Sequence, residues 1–271
     1  MEASRIKQLV ALGVVAIVVM VSACVFFFNR NNQVALEGPQ GEIAADETNS
    51  AAWGQFYPAH WDSYQDNMAN TLNPSHFETK PYMQIIYAGT GFAAEFNEPR
   101  GHVYSIEDVK SIDPARRKAG ASCFTCKSTQ APGMIKEYGD HYYLMSFDEM
   151  KDKITEPIGC LDCHDPKTMK LRLTRPALIE ALERQGRSID KLTNQEMRSL
   201  VCAQCHVTYY FHPDTKEVTF PWDKGLTAQE ILTYYDEHNF SEWVHPVAGT
   251  NLVKARHADY ETFMGSTHQS A

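Results

Sequence analysis

The chain has 271 residues, enough to bury a sizeable core as one large domain or two small ones. Hydrophobic residues make up 43% and charged residues 22%, which excludes disorder as the default. A formal net charge of -9 argues against nucleic acid as a partner.

In chain order, the first feature is Leu9 to Phe28, LVALGVVAIVVMVSACVFFF, an uncharged run of 20 residues that is long enough to cross a bilayer as a helix. Arg5 and Lys7 precede it, so the positive-inside tendency leaves the short N-terminus in the cytoplasm and everything after Arg30 outside. Residues 1–30 therefore read as a membrane anchor or signal segment. An uncleaved signal anchor is the first reading. VSAC at 21–24 also resembles a lipoprotein cleavage box that would lipidate Cys24, and a cleaved signal is the third possibility. Each of these exports the remainder to the periplasmic or extracytoplasmic face. Residues 31–50 are polar and turn-rich, as a linker is, and residues 51–271 form the globular part.

Helix signals dominate that part. RPALIEALERQG at 175–186 has Pro176 in a first-turn position and Gly186 just past its end. TNQEMRSLVCAQC at 193–205 opens with a capping box, Thr193 and Glu196, and TAQEILTYYDEHN at 227–239 repeats it with Thr227 and Glu230. Alternating patterns are scarce; MQIIYA at 83–88 is the short strand candidate. The fold class expected is mainly α, with long irregular connections.

Six of the 7 cysteines fall into three C-x-x-C pairs: Cys123 and Cys126 before Lys127, Cys160 and Cys163 before His164, and Cys202 and Cys205 before His206. C-x-x-C-H marks covalent haem c attachment, with the adjacent histidine reaching the iron. Successive pairs lie more than thirty residues apart, wider than the spacing of a two-pair zinc site. A three-bridge disulfide framework belongs to smaller chains. Three haems with helices packed around them is the reading. A free lysine amine is protonated at neutral pH and ligates iron only because the metal competes for its lone pair. That ligand suits a haem whose opposite face stays open for substrate.

From Trp53 to the end, the chain resembles the ammonia-forming cytochrome c nitrite reductases. The shared segments are PRGH at 99–102, CFTCK at 123–127, GCLDCH at 159–164, CAQCHVTYYFH at 202–212, FPWDKG at 220–225 and LVKARHADYET at 252–262. The resemblance implies six-electron reduction of nitrite to ammonium at the Lys127 haem, with Tyr209 and His257 as distal residues. It also implies a distal arginine between PRGH and the first pair, where Arg116 and Arg117 both stand and Arg116 is favoured. Arg100 has a structural part instead. His102 is the expected second ligand of the His206 haem. Chemically, arginine holds an anion while always charged, histidine relays protons near neutral pH, and tyrosine offers a positioned hydroxyl.

Two departures stand out. Many members hold calcium through a glutamate and a glutamine at the positions of Thr208 and Arg256; a guanidinium in place of an oxygen ligand is hostile to a hard cation, so calcium is expected to be absent here. The family carries five haems and this chain attaches three. His268 matches a ligand of the fifth haem, and the second ligand of the His164 haem is expected beyond Ala271, which implies a C-terminally incomplete chain. The resemblance further implies a membrane quinol-oxidising multihaem cytochrome as electron donor and a homodimer in the complete protein. The rival readings are a membrane-anchored three-haem electron-transfer cytochrome without catalysis, and the larger multihaem reductases of hydroxylamine or sulfur oxyanions.

Overall fold

The computed structural model describes residues 13, 15–24 and 41–270. Gly13 and residues 15–24 are helical, and no helix among the described residues is long and apolar enough to cross a membrane. The expected span from Leu9 to Phe28, its flanking charges Arg5 and Lys7, and most of the expected linker lie wholly or partly outside the described residues. The chain divides into Met1–Gly41 and Glu42–Ala271, and all three cysteine pairs belong to the second unit.

The helices of Glu42–Ala271 are short, and each stops where the sequence stops it. Pro176–Arg184 starts on the proline and buries Ala177, Leu178, Ala181 and Leu182 along one face. It ends in a reversal at Gly186, whose φ is 72°, with Arg187 N–H donating to the Leu182 carbonyl at 2.8 Å, the bond that closes a Schellman motif. Asn194–Ala203 and Ala228–Glu237 both open with the expected capping boxes, Thr193 with Glu196 and Thr227 with Glu230. A third box, Ser146 with Glu149, heads Phe147–Lys151.

The strand expected at 83–88 is instead a helical turn, Met83–Ile86. No second strand runs beside it, so its N–H groups close locally, Tyr87 on the Met83 carbonyl at 2.9 Å, and Ile85 and Ile86 face outward. Among the described residues, named strands are confined to two antiparallel pairs, Tyr210–Phe211 with Val218–Thr219 and Trp243–Val244 with Asn251–Leu252.

Three apolar clusters hold the unit together. One gathers Ile106, Val109, Phe124, Tyr142, Phe147 and Met150 beneath Cys123. A second joins Leu178, Leu182, Leu200, Val207, Phe220 and Trp222, with Tyr209 against it. Tyr210, Ile231, Tyr234 and Tyr235 make the third. The clusters pack against Cys123, include Ala203 inside the third cysteine pair, and reach Val253 and Tyr260.

Candidate active site

The first cysteine pair comes after a reversal at Gly120, where φ is 60° and a Cβ would collide with the Met145 carbonyl. Beyond it the Lys127 carbonyl accepts from Ser105 Oγ at 2.7 Å, and the same hydroxyl accepts from Ile158 N–H at 3.1 Å. One serine thus ties the lysine to the chain entering the second pair. Cys160–Cys163 is a single helical turn closed by Asp162, whose carboxylate accepts from Gly159 N–H at 2.7 Å. The third pair rides the end of Asn194–Ala203. No two of the cysteines are joined as a disulfide among the described residues. The pairs lie together: the Cys126 thiol contacts Cys205, burial and the nearby Asp162 and Cys202 push Cys163 up to about 11, and burial pushes Cys123 up to about 11.

The histidines are oriented as metal ligands are. His164 Nδ1 meets the Met169 carbonyl at 2.9 Å, and His206 Nδ1 meets Asp259 Oδ2 at 3.0 Å. Each bond fixes the tautomer and leaves Nε2 with its lone pair outward, the arrangement that outer partners impose on a ligating imidazole. The His102 and His206 ring centres are 6.3 Å apart. Two imidazoles on opposite sides of one metal, at about 2 Å per bond, are held roughly 6 Å apart. Beside Cys160, Cys163 and His164 lies a cavity of about 230 Å³ that is also lined by Trp53, Tyr57, Trp61, Tyr64 and His102. Apolar and aromatic walls with His164 beside them suit a flat macrocycle. The residues present fit haem c.

The expected distal residues converge on the first pair. His257 stands 6.2 Å from the His206 ring. It can be reached by solvent yet is walled by protein, and that desolvation, then Lys127, His206 and Lys254, lowers its pKa to about 4. Lys127 leads the charges acting on His257, whereas His206 leads those acting on His102, which burial also pushes down. Tyr209 is held by Phe211 at 5.5 Å and by the Arg256 guanidinium over its ring, 4.7 Å from the centre, and burial raises its pKa. Arg116 packs over Phe92 and pairs with Glu95 at 3.2 Å, close enough to Cys123 to act on its thiol. Arg117 turns away to the Ile112 carbonyl and the Phe147 ring. Arg100 is occupied by Asp108 and Glu107.

Arg256 donates to the Tyr209 carbonyl at 2.5 Å and pairs with Glu242. Neighbouring Thr208 donates its N–H to Glu261 at 2.8 Å, and Trp222 Nε1 reaches the same oxygen at 2.8 Å. Three separated motifs, CHVTYYF, FPWDKG and ARHADYET, therefore meet at one carboxylate behind the tyrosine. His268 is exposed on the turn Thr267–Ser270.

Residues 49–271 match the cytochrome c552 family. The chain belongs to that family. It is 41% identical to cytochrome c-552 of Bacteroides fragilis over 244 residues, covering 84% of this chain and 49% of that protein. It is 34% identical to the cytochrome c nitrite reductase subunit NrfA of Nitratidesulfovibrio vulgaris, covering 97% and 58%. The solved catalytic subunit NrfA of Desulfovibrio desulfuricans, described with two calcium sites, superposes with a TM-score of 0.79 at 33% identity, covering 84% of this chain and 57% of that one. The chain spans about half the length of the curated relatives it matches.

In this member of the cytochrome c552 family, several working residues had escaped the sequence. Asp259, Glu242 and Lys254 act on partners farther along the chain than any local pattern reaches, and Met169 acts on His164 five residues away through its backbone carbonyl, which no residue type marks. Arg175 is the largest omission. Buried to 1% exposure, its guanidinium donates to the Thr125 and Ser128 carbonyls at 2.7 and 2.9 Å, to Thr174 Oγ1 at 2.7 Å and to Asp162 Oδ1 at 2.6 Å. Gln204, inside the third pair, accepts from Arg175 N–H at 3.1 Å and donates to the Asp162 carbonyl at 3.1 Å.

Proposed function

We propose that this chain carries the catalytic site of an ammonia-forming nitrite reductase, in which Lys127 ligates one iron and leaves that iron's other face to substrate. The observation that supports this reading is the gathering of His257 near Lys127, Tyr209 near Cys123 and Cys126, and Arg116 near Cys123. The names of the NrfA relatives support it.

Haem c, attached at Cys123/Cys126, Cys160/Cys163 and Cys202/Cys205, would supply the electrons and an iron able to take an anionic nitrogen ligand. His164 and His206 would hold two of the irons, with His102 serving the same iron as His206 and His268 serving a further haem. The conversion of nitrite to ammonium and two waters consumes six electrons and eight protons. Arg116 and Arg256, each steadied by a glutamate, offer guanidinium donors to an entering anion. Tyr209, with its pKa raised by burial, keeps its proton at neutral pH and acts as a hydrogen-bond donor. His257, its pKa lowered chiefly by burial, enters neutral, with a lone pair able to take up a proton and pass it on.

Calcium has no part in this reading. Arg256 supplies a fixed charge against the Tyr209 carbonyl and Glu242, and Thr208 offers no carboxylate. The proposal extends to an exported, membrane-associated protein, a membrane quinol-oxidising cytochrome as donor, and a homodimer.

The test is ammonium formation by the haem-loaded chain, with nitrite and a reduced viologen. His257→Ala and Tyr209→Phe are each expected to slow it by on the order of 10²-fold. Full haem occupancy with no ammonium formed would leave an electron carrier in place of an enzyme.

A further inference from the structure

The Arg175–Asp162 pair lies among all three cysteine pairs and has no part in the pocket chemistry above. Both side chains are buried, at 1% and 4% exposure, where charge is screened least. The pair has direction. Its cationic end is bonded to the carbonyls of Thr125 and Ser128, which flank Cys126 and Lys127. Its anionic end is Asp162 itself, between Cys160 and Cys163, with the second carboxylate oxygen pinned by Gly159 N–H. Gln204 braces the third pair to both ends while carrying no charge.

We propose that the Arg175–Asp162 ion pair is a fixed internal dipole that orders the haem reduction potentials, making the Cys160/Cys163 haem the more reducing and the Cys123/Cys126 haem the more oxidising. A cation beside a redox centre stabilises the added electron and an anion opposes it, so charge placement is one of the levers by which a protein sets a haem's potential. An electron on the second haem would thereby be driven toward the haem that Lys127 would ligate. Arg175 is a positioning residue in this scheme, since it acts through the peptide carbonyls and the field and touches no reactant. The inference rests on haem attachment at the three pairs and is independent of nitrite turnover.

The experiment is a redox titration of the haem-loaded full chain, resolved haem by haem from their separate spectra, for the parent and for Arg175→Gln combined with Asp162→Asn. The double change removes both charges and keeps the shapes. It is expected to narrow the gap between the first and second haems, shifting the partition of one electron between them at least tenfold, equivalent to about 59 mV. Asp162→Asn alone is expected to raise the potential of the second haem more than that of the first. Potentials that move together, or not at all, in variants retaining their haems would overturn the inference and leave the proposed function standing. Folded variants that lose their haems would assign the pair to attachment alone and overturn it as well. A parent chain that binds no haem would remove both.

Discussion

The floor of the site and its open face are built on opposite plans, although Lys127 joins them. On the floor, Arg175 makes four side-chain hydrogen bonds to three segments, and Gln204 and Asp162 complete the network. On the face, Lys127 and His257 make no ion pair among the described residues, Lys254 lies near His257, and Arg116 and Arg256 lie near Lys254, each paired with a glutamate. A dense polar network holds geometry, whereas the face keeps groups without a salt-bridge partner, Lys127 and His257, free to meet a ligand. The contrast separates residues that place the haem sites from residues that would meet a substrate.

Removing one partner from the floor should have the largest effect. Arg175→Met strands the Asp162 carboxylate in the interior, and the expected cost is about 3–5 kcal/mol in denaturant unfolding of the full chain. Arg175→Met with Asp162→Leu should recover much of it, because a neutral pair leaves no buried charge unpaired. A single variant as stable as the parent would show that the floor is not saturated by need.

The face answers to charge instead. Arg256→Gln with Thr208→Glu exchanges a fixed cation for two oxygen donors, and turnover of the haem-loaded protein should then become calcium-dependent by on the order of 10-fold, while the parent ignores chelators. Equal responses to calcium in parent and variant would detach Arg256 from the role proposed for it.

Lys254 offers a finer test. Burial, reinforced by Arg256 and Arg116, lowers its pKa to about 6, and its amine lies over the Phe92 ring. Between about 6 and the unperturbed value near 10.4 the unfolded chain binds the proton that the folded chain lacks, so this group makes stability rise with pH across that window. Lys254→Met should flatten that rise and lift the melting temperature at pH 7 by roughly 2–4 °C. An unchanged pH slope would place the amine in a more polar setting.

The helix caps should matter least. Thr193→Ala removes a bond to Glu196 N–H, and about 1 kcal/mol is expected. The Thr193 N–H and hydroxyl hold Glu196 below the usual carboxylate range, so the box contributes above the unfolded carboxylate pKa and fades as pH falls through the folded one. An acid limb of the stability curve that ignores Thr193→Ala would contradict this.

How much was legible in the sequence depended on range. Caps at Thr193 and Thr227 and the stop at Gly186 depend on residues within a turn, and the structure has them where expected. The three cysteine pairs are equally local. Only the structure shows that Asp259 serves His206 from 53 positions away, or that Arg175 reaches from Thr125 to Asp162, because tertiary proximity leaves no mark on spacing. The 83–88 segment misled for the related reason that an apolar run becomes a strand only with a partner beside it, and none is there. Arg116 and Arg117 look alike in DPARRKAG, and packing on Phe92 or Phe147 separates them.

The central claim is an open coordination position on the iron that Lys127 would hold, and the most direct measurement is the spectrum of the haem-loaded chain titrated with nitrite or cyanide. An open position predicts one high-spin haem that shifts on addition of either anion while the His164 and His206 haems stay as they were. A chain whose irons are all low-spin and indifferent to both anions would contradict it.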